Sequence, residues 1–246
     1  MGKPAWTAAA VRTARARSDV ALPPVRHVVY LHGFASSPES GKAQQFKRAL
    51  EAQGIGFTCP DLNQPAFETL TTTRMLGQVQ ECLAAVPEGP VALIGSSLGA
   101  FVAVHAGARD TTGLVDRLIL LAPALDFGGN RLRQLGPHGI EEWRTTGHLR
   151  VFHYGWNEER EVGFALYDDA ARYDAITLPT TLPTLAFQGR QDESVDPAMV
   201  ERWAAGRALV DLRMLDDGHQ LTTSMPLIWS ESARFLGLQP GASHEA

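Results

Sequence analysis

Serine, histidine and aspartate can together perform acyl transfer, and this chain carries one of each where a fold could unite them. The serine is Ser97, in Gly95-Ser96-Ser97-Leu98-Gly99. This G-x-S-x-G pattern lies between the apolar run Pro90 to Ile94 and the helix-forming run Leu98 to Ala106. A strand–turn–helix is the setting in which the pattern presents a nucleophile. The turn is sharp, and its glycines permit close backbone approach. The helix N-terminus brings N–H donors and a positive dipole end to a developing oxyanion. The other reading is a purely structural turn. Ser96, one position earlier, is expected to pack.

A serine hydroxyl attacks a carbonyl only when a base takes its proton. Of the eight histidines, His219 stands out, because Asp216-Asp217-Gly218-His219 follows the apolar run Val210 to Leu215 in a loop. His105 falls within a helix and is expected to pack. His27 starts a strand; His138, His148 and His153 fall in an aromatic-rich insertion, and His244 in the C-terminal tail. An acid must orient the imidazole and stabilise its charged form. Asp192, in Gly189-Arg-Gln-Asp192 after the run Thr184 to Phe187, is the candidate, and the order Ser97, Asp192, His219 suits it. Its competitors are Asp126, just after the run Leu118 to Ala122, and Asp196, better placed to cap the next helix. The turn His32-Gly33-Phe34 after the first strand supplies a fourth element. The Phe34 N–H is expected to join the Leu98 N–H as an oxyanion hole, with His32 a structural residue of the turn.

These residues need a scaffold that brings strand ends to one edge. Short apolar runs at His27 to Leu31, Gly56 to Cys59, Pro90 to Ile94, Leu118 to Ala122, Pro183 to Phe187 and Val210 to Leu215 read as strands. Helical spacing appears over 42–53, 67–86, 98–106, 197–205 and 225–236. Alternation of strands with helices predicts a mostly parallel sheet of about six strands, flanked by helices on both faces. Residues 1–24 read as a tail, 25–125 and 179–240 as one α/β core, and 126–178 as an insertion. The insertion is expected to form a helical cap whose Trp143, Phe152, Tyr154 and Trp156 line a substrate pocket. The alternative is an extra helical layer touching no ligand.

Composition excludes several function classes. With net charge −5 over 246 residues there is no electrostatic reason to expect a nucleic-acid or anionic-membrane partner. No segment reaches the ~18 apolar residues of a membrane span, and the N-terminus lacks the apolar core of a signal peptide. Cys59 and Cys82 read as reduced thiols, so a cytoplasmic protein is expected. No H-E-x-x-H or paired C-x-x-C spacing suggests a metal, and no Gly-rich phosphate loop follows a strand. No cofactor is expected.

Together, Tyr30-Leu-His-Gly-Phe-Ala-Ser-Ser-Pro38, Gly95-Ser-Ser-Leu-Gly99, Gly189-Arg-Gln-Asp192 and Asp217-Gly-His219 resemble small bacterial esterases of the YqiA/YcfP type, in the α/β-hydrolase superfamily. The resemblance covers about residues 26–236. It implies the α/β-hydrolase fold, hydrolysis of a carboxylic ester or thioester of a small molecule, the triad Ser97, Asp192 and His219, and no cofactor. The chain departs from the larger superfamily in having no clear pair of strands before Val28, and its insertion is longer than in the smallest family members. Aromatics in the insertion favour small to medium hydrophobic esters. Rival activities for the same triad are thioester, peptide or C–C bond hydrolysis; the non-enzymatic alternative is a catalytically silent ligand-binding protein.

Overall fold

A computed structural model describes residues 23–128 and 135–239. The proposed tail, apart from Pro23 and Pro24, and His244 lie outside the described residues. The sheet has six strands: β1 (His27–Leu31), β2 (Gly56–Thr58), β3 (Val91–Ser96), β4 (Val115–Leu121), β7 (Thr184–Gly189) and β8 (Val210–Leu215). Their order is β2-β1-β3-β4-β7-β8, and every pairing is parallel. All six carboxyl ends therefore point to one edge. In open parallel sheets, the crevice at that edge is where ligands bind.

Successive strand residues supply opposite faces. Val29, Leu31, Leu93, Leu118, Leu120 and Ala186 pack beneath α2 (Thr72–Ala85), α3 (Leu98–Ala108) and α6 (Pro197–Ala204). Val28, Tyr30, Ile94, Ile119, Leu121 and Phe187 pack beneath α1 (Gly41–Glu51) and α7 (Met225–Phe235). A sheet covered on both faces must be apolar at odd and even positions alike, which is why these strands read as continuous runs. The helix expected over 67–86 is interrupted. A 3-10 turn, Phe67–Thr69, comes first, and α2 begins after Thr71, whose hydroxyl accepts the Arg74 N–H. Such a side-chain cap satisfies an orphan donor and fixes the start.

Between β4 and β7 the chain leaves the sheet. It forms α4 (Gly136–Thr146), an antiparallel hairpin of β5 (His148–His153) and β6 (Glu158–Gly163), and α5 (Ala165–Ala170). The hairpin is an addition to the helical insertion expected from sequence. Trp143 of α4 is buried against Phe164 and Tyr167, its Nε1–H donating to the Val162 carbonyl at 3.0 Å. Asp169 of α5 ties this segment to the core, accepting from the Thr73 N–H and hydroxyl at 2.7 and 2.6 Å. Among the described residues, no helix is long and apolar enough to cross a membrane.

Candidate functional site

Ser97 stands between β3 and α3 with φ 54° and ψ −113°, a left-handed conformation that a residue with a β-carbon rarely adopts. Backbone bonds hold it there. Its N–H donates to the Leu121 carbonyl at 2.9 Å, and its carbonyl accepts from Ala100 and Ala124 at 3.0 and 3.2 Å. The flanking glycines are required by space. A β-carbon on Gly95 would lie 2.4 Å from the Gly99 oxygen, and one on Gly99 would lie 2.0 Å from the Leu31 oxygen. The strand–helix turn thus presses against the end of β1. Ser96 is buried, as expected.

His219 bridges the other two residues. Its Nε2 is 3.2 Å from Ser97 Oγ, and its Nδ1 is 2.9 and 3.0 Å from the Asp192 carboxylate oxygens. With the Nδ1 proton on the carboxylate, Nε2 offers its lone pair to the serine hydroxyl. The Asp192 side chain is fully buried and that of His219 is 18% exposed. Burial pushes the Asp192 carboxyl up. The His219 bond, the Val195 N–H at 2.8 Å and the Gln188 amide at 2.9 Å outweigh it and hold the group below the usual carboxylate range. A second N–H, from Ser194, also reaches Oδ1 at 2.8 Å. The competing carboxylates are elsewhere: Asp196 caps α6 through the Ala198 N–H, and Asp126 is half-buried beyond β4.

The histidine loop is braced by Asp217, which accepts from the Gly218 N–H, the Thr223 hydroxyl and the Ser224 N–H. Gly189 packs so closely on this loop that a β-carbon would lie 2.4 Å from the Asp217 oxygen. On the opposite side, Lys42 Nζ donates to the Gln220 carbonyl at 3.0 Å.

The turn at 32–37 flanks Ser97 from β1. His32 is 2% exposed; its Nδ1–H donates to the Gly33 carbonyl and its Nε2 accepts the Leu62 N–H, so both ring nitrogens serve the turn. The turn is further held by the Asn63 amide on the Ser36 carbonyl at 2.8 Å and the Gly155 N–H on the Ala35 carbonyl at 3.3 Å. Among the described residues, neither the Phe34 N–H nor the Leu98 N–H meets an acceptor. An arrangement of buried acid, bridging imidazole, hydroxyl and two free N–H groups can perform nucleophilic acyl transfer.

The aromatics expected in a pocket fare differently. Trp143 belongs to the insertion's own core, and Phe152 and Tyr154 pack on each other on the hairpin's outer face, 41% and 75% exposed. The hairpin's alternating burial turns Phe152 away from the core, and Trp143 is committed to Val162. Trp156 stacks on His153 at 3.8 Å and meets Phe67 edge-on at 6.1 Å. Phe67 in turn packs on Phe34 at 5.5 Å. Asn63, Gln188, Asp217 and Lys42 were missed by sequence reasoning. Asp217 at least adjoins His219 in sequence. Gln188 lies four residues before its partner Asp192, whereas Asn63 and Lys42 act across the fold and carry no local signal. Among the described residues, no group of three or more His, Cys, Asp or Glu is arranged to hold a metal.

Comparison with solved structures places the fold. Alpha/beta hydrolase domain-containing protein 10 from mouse is 21% identical, covering 86% of this chain and 90% of its own, with a TM-score of 0.69. Est1E from Butyrivibrio proteoclasticus, solved with ferulic acid bound, is 17% identical over 90% of this chain and 92% of its own, with a TM-score of 0.71. The metagenome-derived lipolytic enzymes LipS and LipT are represented by a chain 18% identical, covering 87% and 94%, with a TM-score of 0.64. No curated protein matches significantly. Residues 27–233 match one family throughout, so the chain belongs to the Uncharacterised protein family UPF0227, the YqiA/YcfP-type group of α/β-hydrolases.

Proposed function

We propose that this protein is a serine-dependent carboxylesterase, with Ser97 as nucleophile, His219 as general base and Asp192 as the acid that orients it. The observation that carries the reading is the single imidazole lying between Ser97 Oγ and the Asp192 carboxylate. In acylation His219 takes the Ser97 proton, Oγ attacks the ester carbonyl, and the oxyanion accepts from the Phe34 and Leu98 N–H groups. His219 then protonates the leaving alcohol. Water, deprotonated by the same histidine, attacks the acyl-enzyme and releases the acid.

Small to medium hydrophobic esters suit the half-buried Phe34 ring of the oxyanion turn, which is backed by the buried Phe67 and Phe127. The ferulic acid bound to Est1E agrees with an aromatic acyl group. Segment 126–178 is proposed as a cap, supported by its hairpin tip resting on the 35–37 turn. Cys59 and Cys82, both free thiols, accord with work in the cytoplasm. The test is hydrolysis of p-nitrophenyl esters from acetate to palmitate by the wild type and Ser97→Ala. Turnover with a short-to-medium chain optimum, abolished in the variant, is expected. Equal rates for the two proteins, or flat rates across chain lengths, would sink the nucleophile and the substrate reading respectively.

A further inference from the structure

Lys42 occupies a position that ordinary helix chemistry disfavours. It is the second residue of α1, where the helix dipole presents its positive end. Its side chain is half-buried and crosses to the loop after β8, donating to the Gln220 carbonyl at 3.0 Å and the Gln220 side-chain oxygen at 3.3 Å. Gln220 directly follows His219. On its β7 side that loop is fixed by the Gln191 N–H on the Asp217 carbonyl and by the Gln191 amide on Asp216. Toward α1, Lys42 is the tie seen among the described residues.

We infer that Lys42 is a positioning residue for His219: its ammonium, docked on the Gln220 carbonyl, sets the pitch of the imidazole between Ser97 and Asp192. This inference rests on the serine-esterase reading for its kinetic consequences. The charged groups that reach Lys42 are Asp192, from the loop after β7, and Asp217, from the loop after β8; His219 stands beside its acceptor. On α1 itself Lys47, Arg48 and Glu51 lie a turn or more further along. Burial pushes the ammonium down to about 8, and the two carboxylates pull it back toward its usual value. The tie is therefore charged at neutral pH and loses its proton in mild alkali.

The test compares wild type, Lys42→Met and Lys42→Arg on p-nitrophenyl acetate across pH, with Ser97→Ala in parallel. Loss of orientation without loss of substrate contacts should lower kcat about tenfold in Lys42→Met and leave KM unchanged. Arginine keeps the charge and the donor, so Lys42→Arg should restore most of kcat. It should also move the wild type's alkaline limb, near pH 8, upward, because a guanidinium stays protonated. Wild-type kcat in Lys42→Met, or an arginine variant no better than the methionine one, overturns the inference. A second readout is independent of turnover: the low-field proton resonance of the His219 Nδ1–H on Asp192 should broaden or vanish in Lys42→Met and persist in Lys42→Arg. If Ser97→Ala still turns over, the esterase reading fails by itself. Lys42 is then judged on the resonance alone, and an unchanged signal in Lys42→Met refutes it.

Discussion

The backbone at Ser97 is held in a conformation that its β-carbon resists, and that strain stands the hydroxyl clear of the turn toward His219. Glycine adopts a positive φ without this cost. Ser97→Gly is therefore expected to raise stability by about 1 kcal/mol while abolishing turnover, a balance of relieved strain against added chain entropy. Urea denaturation of the two proteins checks it; a less stable variant would mean the turn holds no strain. Asp192 makes a sharper case. Its Oδ1 accepts the Ser194 and Val195 N–H groups, so in Asp192→Asn the surviving oxygen stays on those donors. The new amide NH2 must then face His219 Nδ1 and turn the ring into the tautomer that carries its proton on Nε2. A fall in kcat of roughly 10³-fold or more is expected, with the fold intact. Steady-state kinetics beside a circular-dichroism melt measures both.

At the scale of elements, the site is where strand ends and tight contacts coincide. The hairpin touches the 32–37 turn through Gly155, where a β-carbon would lie 2.9 Å from Ser37 Cβ and 3.1 Å from the Ser36 carbonyl carbon. Gly155→Val should push the tip away and loosen the Phe34 N–H, lowering kcat/KM about tenfold while the melting temperature changes little. Parallel thermal and kinetic measurements separate this from a general loss of structure. The sheet was legible because both of its faces are covered, which leaves apolar runs such as Val28 to Leu31 and Leu118 to Leu121 uninterrupted. Ser97, Asp192 and His219 were singled out for a related reason: each lies within a few residues of the end of such a run. The hairpin was not. His148 to Val151 alternates polar with apolar residues, a strand signal, but Phe152 breaks the alternation and the aromatics were read as a helical layer. Thr71 was likewise hidden inside a helical pattern, and its capping role is set by the backbone of one turn. Residues such as Asn63 and Lys42 act on partners fixed by the fold, so no spacing along the chain announces them.

For the whole molecule, the two covered faces bury groups whose protonation then belongs to folding. His105, on α3 and 1% exposed, lies edge-on to Phe101 and Tyr173 while its Nδ1 accepts from the Arg109 guanidinium at 2.9 Å. Burial first, and the Arg109 charge second, push the imidazole from 6.5 down to about 4, with Asp174 pulling weakly the other way. The folded chain thus keeps His105 neutral in a range where the unfolded chain protonates it. Between pH 6.5 and 4 the unfolded state binds the extra proton, so stability falls as pH falls. A shift of that size corresponds to about 3 kcal/mol. His27 and His153 are lowered by burial too and add to the same slope. A separate loss follows below pH 4. Burial pushes the Asp61 carboxyl up, but its hydrogen bonds, those from Asn63 and Gln64 among them, hold it down to about 2, so its contribution is present above its ordinary value and disappears as pH drops through about 2. His105→Phe keeps a ring against Phe101 and Tyr173 but has no proton to take up. Its urea midpoint should fall much less than the wild type's from pH 7 to 4.5, with the residue of the slope left to His27 and His153. Equal falls in the two proteins would assign the acid sensitivity to groups other than His105, and a variant that unfolds at pH 7 would show that the Arg109 contact itself holds α3 in place.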